Sequence, residues 1–147
     1  MSQLAATFFN KDEKQQILDA IANAEKESSG EIRVHIENNC KGEVLDCASH
    51  VFALLKMHKT EQRNGVLFYL AVKSKKFAIL GDIGINQKVP EDFWDEIKGE
   101  MHIAFQKGNF VGGLSNGIIK AGQQLKLHFP YQTNDKNELS DEISFGK

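Results

Sequence analysis

Apolar positions change their spacing several times along the chain, and each change marks an element. Residues 66–72, Val66-Leu67-Phe68-Tyr69-Leu70-Ala71-Val72, are almost unbroken in apolar character. Such a run suits a strand covered on both faces. Residues 77–80 form a second, shorter run that ends in Gly81-Asp82-Ile83-Gly84. The basic link Lys73-Ser74-Lys75-Lys76 is too short to hold a crossover helix. The pattern therefore predicts an antiparallel hairpin. A hairpin returns the chain to its point of entry, which sets Asp82 beside Asn64 and Gly65.

Upstream, residues 31–37 alternate strictly. Ile32, Val34 and Ile36 fall on one face, Arg33, His35 and Glu37 on the other. This predicts a half-buried strand at or near a sheet edge. Before it, Asn10 is placed to cap a helix, with Glu13 at the capping-box position. Ile17, Leu18, Ile21 and Ala24 then recur at helical spacing, through about Ser28. A second helix is predicted over 43–57, with Val44, Ala48, Val51, Phe52 and Leu55 as its buried stripe. Strand, helix, strand makes a unit with parallel strands and a right-handed crossover.

Downstream, Pro90 suits the first turn of a third helix, and Glu91 and Asp92 suit its positive end. Phe93, Ile97, Met101 and Phe105 form its apolar face. A last helix is predicted over 110–128, with Leu114, Ile118, Ala121 and Leu125 inward. Its glycines (Gly112, Gly113, Gly117 and Gly122) cost helix propensity and imply close packing against a neighbour. Pro130 stops it. The polar tail over 130–147 is expected to be loosely attached or disordered, with Ile143 and Phe145 as anchors. The order of elements gives an α/β fold: a small mixed sheet with an antiparallel hairpin and helices on both faces.

Composition narrows the function classes. The chain has 147 residues, 41% hydrophobic and 26% charged, with a net charge of −2. That is one domain with a sizeable core and no electrostatic footprint for nucleic acid. No apolar run approaches the roughly 20 residues of a membrane span. The first nine residues lack the pattern of a signal peptide. The expectation is a soluble, cytoplasmic monomer. Cys40 and Cys47 are the only cysteines and are expected to be reduced thiols. Neither precedes a phosphate-cradling loop, which argues against a cysteine nucleophile. The five histidines are scattered, with no metal-ligand spacing. Gly81 to Gly84 is not a dinucleotide fingerprint.

Strand directions place the chemistry. The starts of both parallel strands and the end of the hairpin's second strand lie at one end of the sheet. Glu31, Asn64 and Asp82 can meet on that rim, joined by Asn86, Glu91 or Asp92. Carboxylates and amide oxygens suit a hard cation such as Ca²⁺ or Mg²⁺. The same residues also read as a glycine-flanked turn and a helix cap.

Three stretches carry a family resemblance. They are Lys59-Thr60-Glu61-Gln62-Arg63-Asn64-Gly65-Val66-Leu67, the loop Gly81-Asp82-Ile83-Gly84-Ile85, and residues 105–118, Phe105-Gln106-Lys107-Gly108-Asn109-Phe110-Val111-Gly112-Gly113-Leu114-Ser115-Asn116-Gly117-Ile118. Together they resemble the TPM domain family over about residues 7–129. The resemblance implies a three-layer α/β/α sandwich of Rossmann-like topology, binding of divalent cations, chiefly calcium, in loops beside the sheet, and an acid phosphatase activity. The chain departs from many relatives in lacking their signal peptide and membrane anchor, and resembles a cytoplasmic bacterial branch. Asn86 stands where many members carry an acid, which moves weight to Asp82.

Two readings follow. In the first, Asp82, Glu31, Asn64 and Asp92 hold Ca²⁺ or Mg²⁺, and Arg63 orients a phosphomonoester substrate. In the second, the domain is a non-catalytic interaction or scaffold module whose protein partner surface is set by metal binding.

Overall fold

The computed structural model describes residues 4–26, 28–131 and 142–146. Helix α1 (Lys11–Glu25) opens with the expected capping box: Asn10 accepts from the Glu13 backbone N–H while Glu13 accepts from that of Asn10. The order continues with β1 (Glu31–Glu37), α2 (Val44–Leu54), β2 (Gly65–Ala71) and β3 (Lys76–Gly81). A four-residue helix α3 (Ile83–Asn86), α4 (Phe93–Gln106), α5 (Phe110–His128) and a short β4 (Ser144–Phe145) complete it.

The sheet runs β3-β2-β1-β4. Strands β1 and β2 are parallel, with Glu31 opposite Gly65 and Glu37 opposite Ala71. Strands β2 and β3 are antiparallel, with Val66 opposite Gly81. The expected mixed sheet and hairpin are thus present.

Side chains of β2 alternate between two cores. Val66, Phe68 and Leu70 join Ile32, Val34 and Ile36 under α1, α4 and α5. Leu67, Tyr69 and Ala71 pack under α2 with Val51, Phe52 and Met57. Helices therefore cover both faces, in three layers, and every residue of β2 is buried. The glycines of α5 serve close approach as expected. A Cβ on Gly122 would stand 2.5 Å from Ala24 Cβ on α1.

Four expectations are corrected. Cys40 and Cys47 form a disulfide, not two reduced thiols. Their Cα atoms are 6.1 Å apart because the turn after β1 folds back onto the start of α2, a proximity that the spacing alone does not reveal. Strand β1 is not half-buried: Glu31 and His35 on its polar face are 2% and 4% exposed. β4 pairs along its outer side, with His35 opposite Ser144 and Ile36 opposite Phe145. Helix α2 ends at Leu54 rather than near residue 57, because Lys56 turns left-handed at φ 58° and starts a 3-10 turn over Met57–Lys59. The helix carrying Pro90 starts only at Phe93, whose N–H closes a turn onto the Pro90 carbonyl.

Of the tail, Ile143 packs against the larger core as an anchor. Phe145 is exposed, with Lys14 Nζ 5.3 Å from its ring centre. The rest of the expected loose tail, over 132–141, lies outside the described residues.

Candidate functional site

The strand register builds the rim. Glu31 begins β1 opposite Gly65, and the Asp82 N–H donates to the Gly65 carbonyl at 2.9 Å. Because β2 lies between β1 and β3, Asn64 sits between Glu31 and Asp82 at one end of the sheet. Three of the four expected metal ligands are therefore brought together. All three are buried, Glu31 at 2%, Asn64 at 1% and Asp82 at 7% exposure.

Asp82 is the hub. Its Oδ1 accepts from the Ile83 backbone N–H at 2.7 Å, capping α3. Arg63 grips the same carboxylate in a fork, Nε to Oδ2 at 2.7 Å and Nη2 to Oδ1 at 2.8 Å. The hydrogen bond and the charge of Asp82 both raise the Arg63 pKa above its ordinary value. The Arg63 side chain is 48% exposed. Arg63 adopts left-handed backbone, φ 52°, as the chain turns into β2. Its carbonyl accepts from the Gly84 N–H at 2.8 Å. A Cβ on Gly84 would lie 2.1 Å from the Gln62 carbonyl oxygen, so only glycine lets the two loops meet.

Asn64 is held from two sides. Its N–H donates to Thr60 Oγ1 at 3.2 Å and its Nδ2 to Ser29 Oγ at 3.4 Å. Its Oδ1 is buried with no hydrogen-bond donor. Asn86 closes the far side: its Nδ2 donates to the Gly81 carbonyl at 2.8 Å, and its Oδ1 accepts from Trp94 Nε1 at 2.7 Å. Trp94 thereby ties α4 to the rim, a link with no signal in the sequence. Asp92 precedes α4, exposed and without a side-chain cap bond, and joins none of these contacts among the described residues.

Two buried carboxylates and an orphaned amide oxygen are the donor chemistry of a hard cation. Both oxygens of Asp82 are engaged by Arg63, and among the described residues no group of three His, Cys, Asp or Glu is clustered to hold a metal. As the side chains stand, the Asp82 carboxylate is satisfied by Arg63. The same bidentate fork was expected to orient a phosphate; here it holds Asp82.

A second polar cluster escaped the sequence reading. His35 Nε2 meets Glu37 Oε1 at 3.0 Å, Tyr69 donates to the other Glu37 oxygen, and His35 Nδ1 lies 2.7 Å from Ser144 Oγ. Burial lowers the His35 pKa most, Glu37 partly offsets this, and Arg33 adds to the lowering. Burial chiefly, then Glu37, pushes the Tyr69 phenol far up. The alternation of β1 places residues 35 and 37 on one face; the partner from β4 is remote in the chain.

A TPM domain model matches residues 3–124. The chain belongs to the TPM domain family. A solved relative is the BA42 protein of the psychrophilic bacterium Bizionia argentinensis, 47% identical, with a TM-score of 0.86 over 95% of this chain and 96% of that one. The N-terminal domain of the cg2496 protein from Corynebacterium glutamicum shares the fold at 12% identity, with a TM-score of 0.64 over 81% of this chain and 75% of that one. An N-terminal domain from P. gingivalis does so at 16% identity, with a TM-score of 0.70 over 86% and 84%. No curated protein matches the chain. No helix of this TPM domain is long and apolar enough, among the described residues, to cross a membrane.

Proposed function

We propose that this TPM domain binds a divalent cation, Ca²⁺ or Mg²⁺, at the rim formed by Asp82, Glu31 and Asn64, and acts as a cation-dependent binding module. The observation that supports this best is Asn64 Oδ1, a buried acceptor without a donor, set between two buried carboxylates. A buried oxygen that makes no hydrogen bond is costly, and a coordinated cation removes that cost. Asp82 and Glu31 would supply the charge, and Asn64 a neutral oxygen. Asp92 would approach only as an outer carboxylate. Arg63 acts as the internal cation of Asp82 until a metal displaces it.

A bound cation would supply Lewis acidity to a phosphomonoester. Arg63, once released from Asp82, would be free to pair with a phosphate. Binding rather than turnover is the role proposed. The exposed guanidinium that moves with the metal is the means by which a partner would sense the bound state.

Titration of the metal-free protein with Ca²⁺ and Mg²⁺, followed through backbone amides by NMR, tests this. Saturable shifts are expected over 30–33, 63–66 and 81–86, and are lost in Asp82→Asn. No shift there at millimolar metal overturns the proposal. Hydrolysis of a phosphomonoester that is unchanged in Asp82→Asn would place any activity away from the rim.

A further inference from the structure

A groove of about 520 Å³ opens beside the β2–β3 turn, at the end of the sheet away from Asp82. Phe8, Phe77, Phe105 and Phe110 wall it. Their rings touch in sequence. Phe77 and Phe105 are centred 4.9 Å apart, Phe105 and Phe110 5.2 Å, Phe110 and Phe8 5.0 Å. All four remain only half-buried, although each packs against the larger core. A concave aromatic wall left open to water has the form of a small-molecule site.

Charge at the same place is one-sided. Among the described residues, the titratable side chains lining the groove are Lys75, Lys76 and His102, with no carboxylate. Lys76 Nζ turns to the other face of β3, where it donates to the backbone carbonyl of Gly42 at 2.8 Å, and Lys98 Nζ lies 5.8 Å from the centre of the Phe77 ring. Lys75 stands exposed at the turn, in left-handed backbone at φ 55°. An apolar trough with a cationic mouth complements a molecule with an alkyl body and one anionic end. The volume falls in the range of small-molecule sites, about 300–1,000 Å³.

We infer that this groove binds a small amphipathic anion, a free medium-chain carboxylate. The alkyl chain lies along the four phenylalanines, and the carboxylate meets Lys75. This site is independent of the Asp82 rim and shares none of its residues.

The test is titration of the full chain with sodium decanoate below its micelle concentration, read by backbone amide shifts. Octanoate, decanol and decyltrimethylammonium serve as comparisons. Saturable shifts are expected over 70–77 and 102–110, with 81–86 unmoved. Decanoate should bind more tightly than octanoate, by up to roughly fourfold for each added methylene. Lys75→Asn, which tolerates the left-handed backbone, should weaken decanoate about two- to fivefold, the scale of one exposed ion pair. Absence of saturable shifts at millimolar decanoate overturns the site. Equal affinity for decanol, or for the cationic analogue, overturns the assignment of an anion. Those comparisons use the unaltered protein and so do not depend on a variant folding.

Discussion

Arg63 holds Asp82 through both oxygens of its carboxylate, at 2.7 and 2.8 Å, although one side chain is half-exposed and the other is 7% exposed. The pair joins the entry of β2 to the exit of β3, and it decides how the rim can be used. A cation at Asp82 must compete with a guanidinium already there. Arg63→Gln should therefore tighten Ca²⁺ binding, on the order of fivefold, at the low end of coupling between sites because Arg63 is solvated. Isothermal titration calorimetry of the two proteins measures it. Weaker binding in the variant would mean that Arg63 supports the site rather than masks it.

Gly84 is the steric key to the same junction. Its missing Cβ lets the Gln62 and Arg63 carbonyls pass within contact distance. Gly84→Ala should cost about 1–3 kcal/mol through overpacking, read from the urea midpoint. Gly99, where an added Cβ would meet nothing within 4 Å, is the control, and Gly99→Ala should be neutral or mildly stabilising in its exposed helix.

His35 makes stability depend on pH. Its folded-state pKa lies below the ordinary 6.5, chiefly because it is buried. The unfolded chain then binds the extra proton more readily than the folded one. The contribution of His35 is complete above about pH 6.5 and is lost as pH falls through the lower folded-state value. Denaturant midpoints from pH 8 to pH 5 should fall in that window, and His35→Gln should flatten the fall.

Ser144 links that histidine to the tail. The Gly146 N–H donates to the Ile36 carbonyl at 2.8 Å beside it. Ser144→Ala removes the partner of His35 Nδ1 at a cost of about 1 kcal/mol. Hydrogen exchange at the Gly146 amide should accelerate several-fold, with β2 amides unchanged.

The Cys40–Cys47 bridge closes a loop with a sequence separation of 7. Chain-entropy reasoning gives about 2–3 kcal/mol of stabilisation for so short a loop. Thermal unfolding with and without reductant measures it, and thiol titration of the denatured, unreduced protein should find no free cysteine.

Much of the fold was legible in the sequence. The capping box at Asn10 and Glu13, the alternation over 31–37 and the apolar run after Gly65 are local patterns, and local physics produces them. The convergence of Glu31, Asn64 and Asp82 was also legible, because a hairpin and a parallel crossover leave little freedom for where their ends fall. The partners that engage those residues were not. Nothing in the order of residues pairs Arg63 with Asp82, Trp94 with Asn86 or Ser144 with His35.

The sequence by itself determined the four long helices and the three main strands, their order and the end of the sheet at which carboxylates gather. Those follow from side-chain period, turn chemistry and chain connectivity, all of which act over short separations. The tertiary structure decided which polar groups are neutralised, that β4 closes the outer edge of β1, that the two cysteines meet, and that four phenylalanines remain half-open beside a basic turn. Those depend on burial and on contacts between residues distant in the chain, and a one-dimensional pattern carries no measure of either.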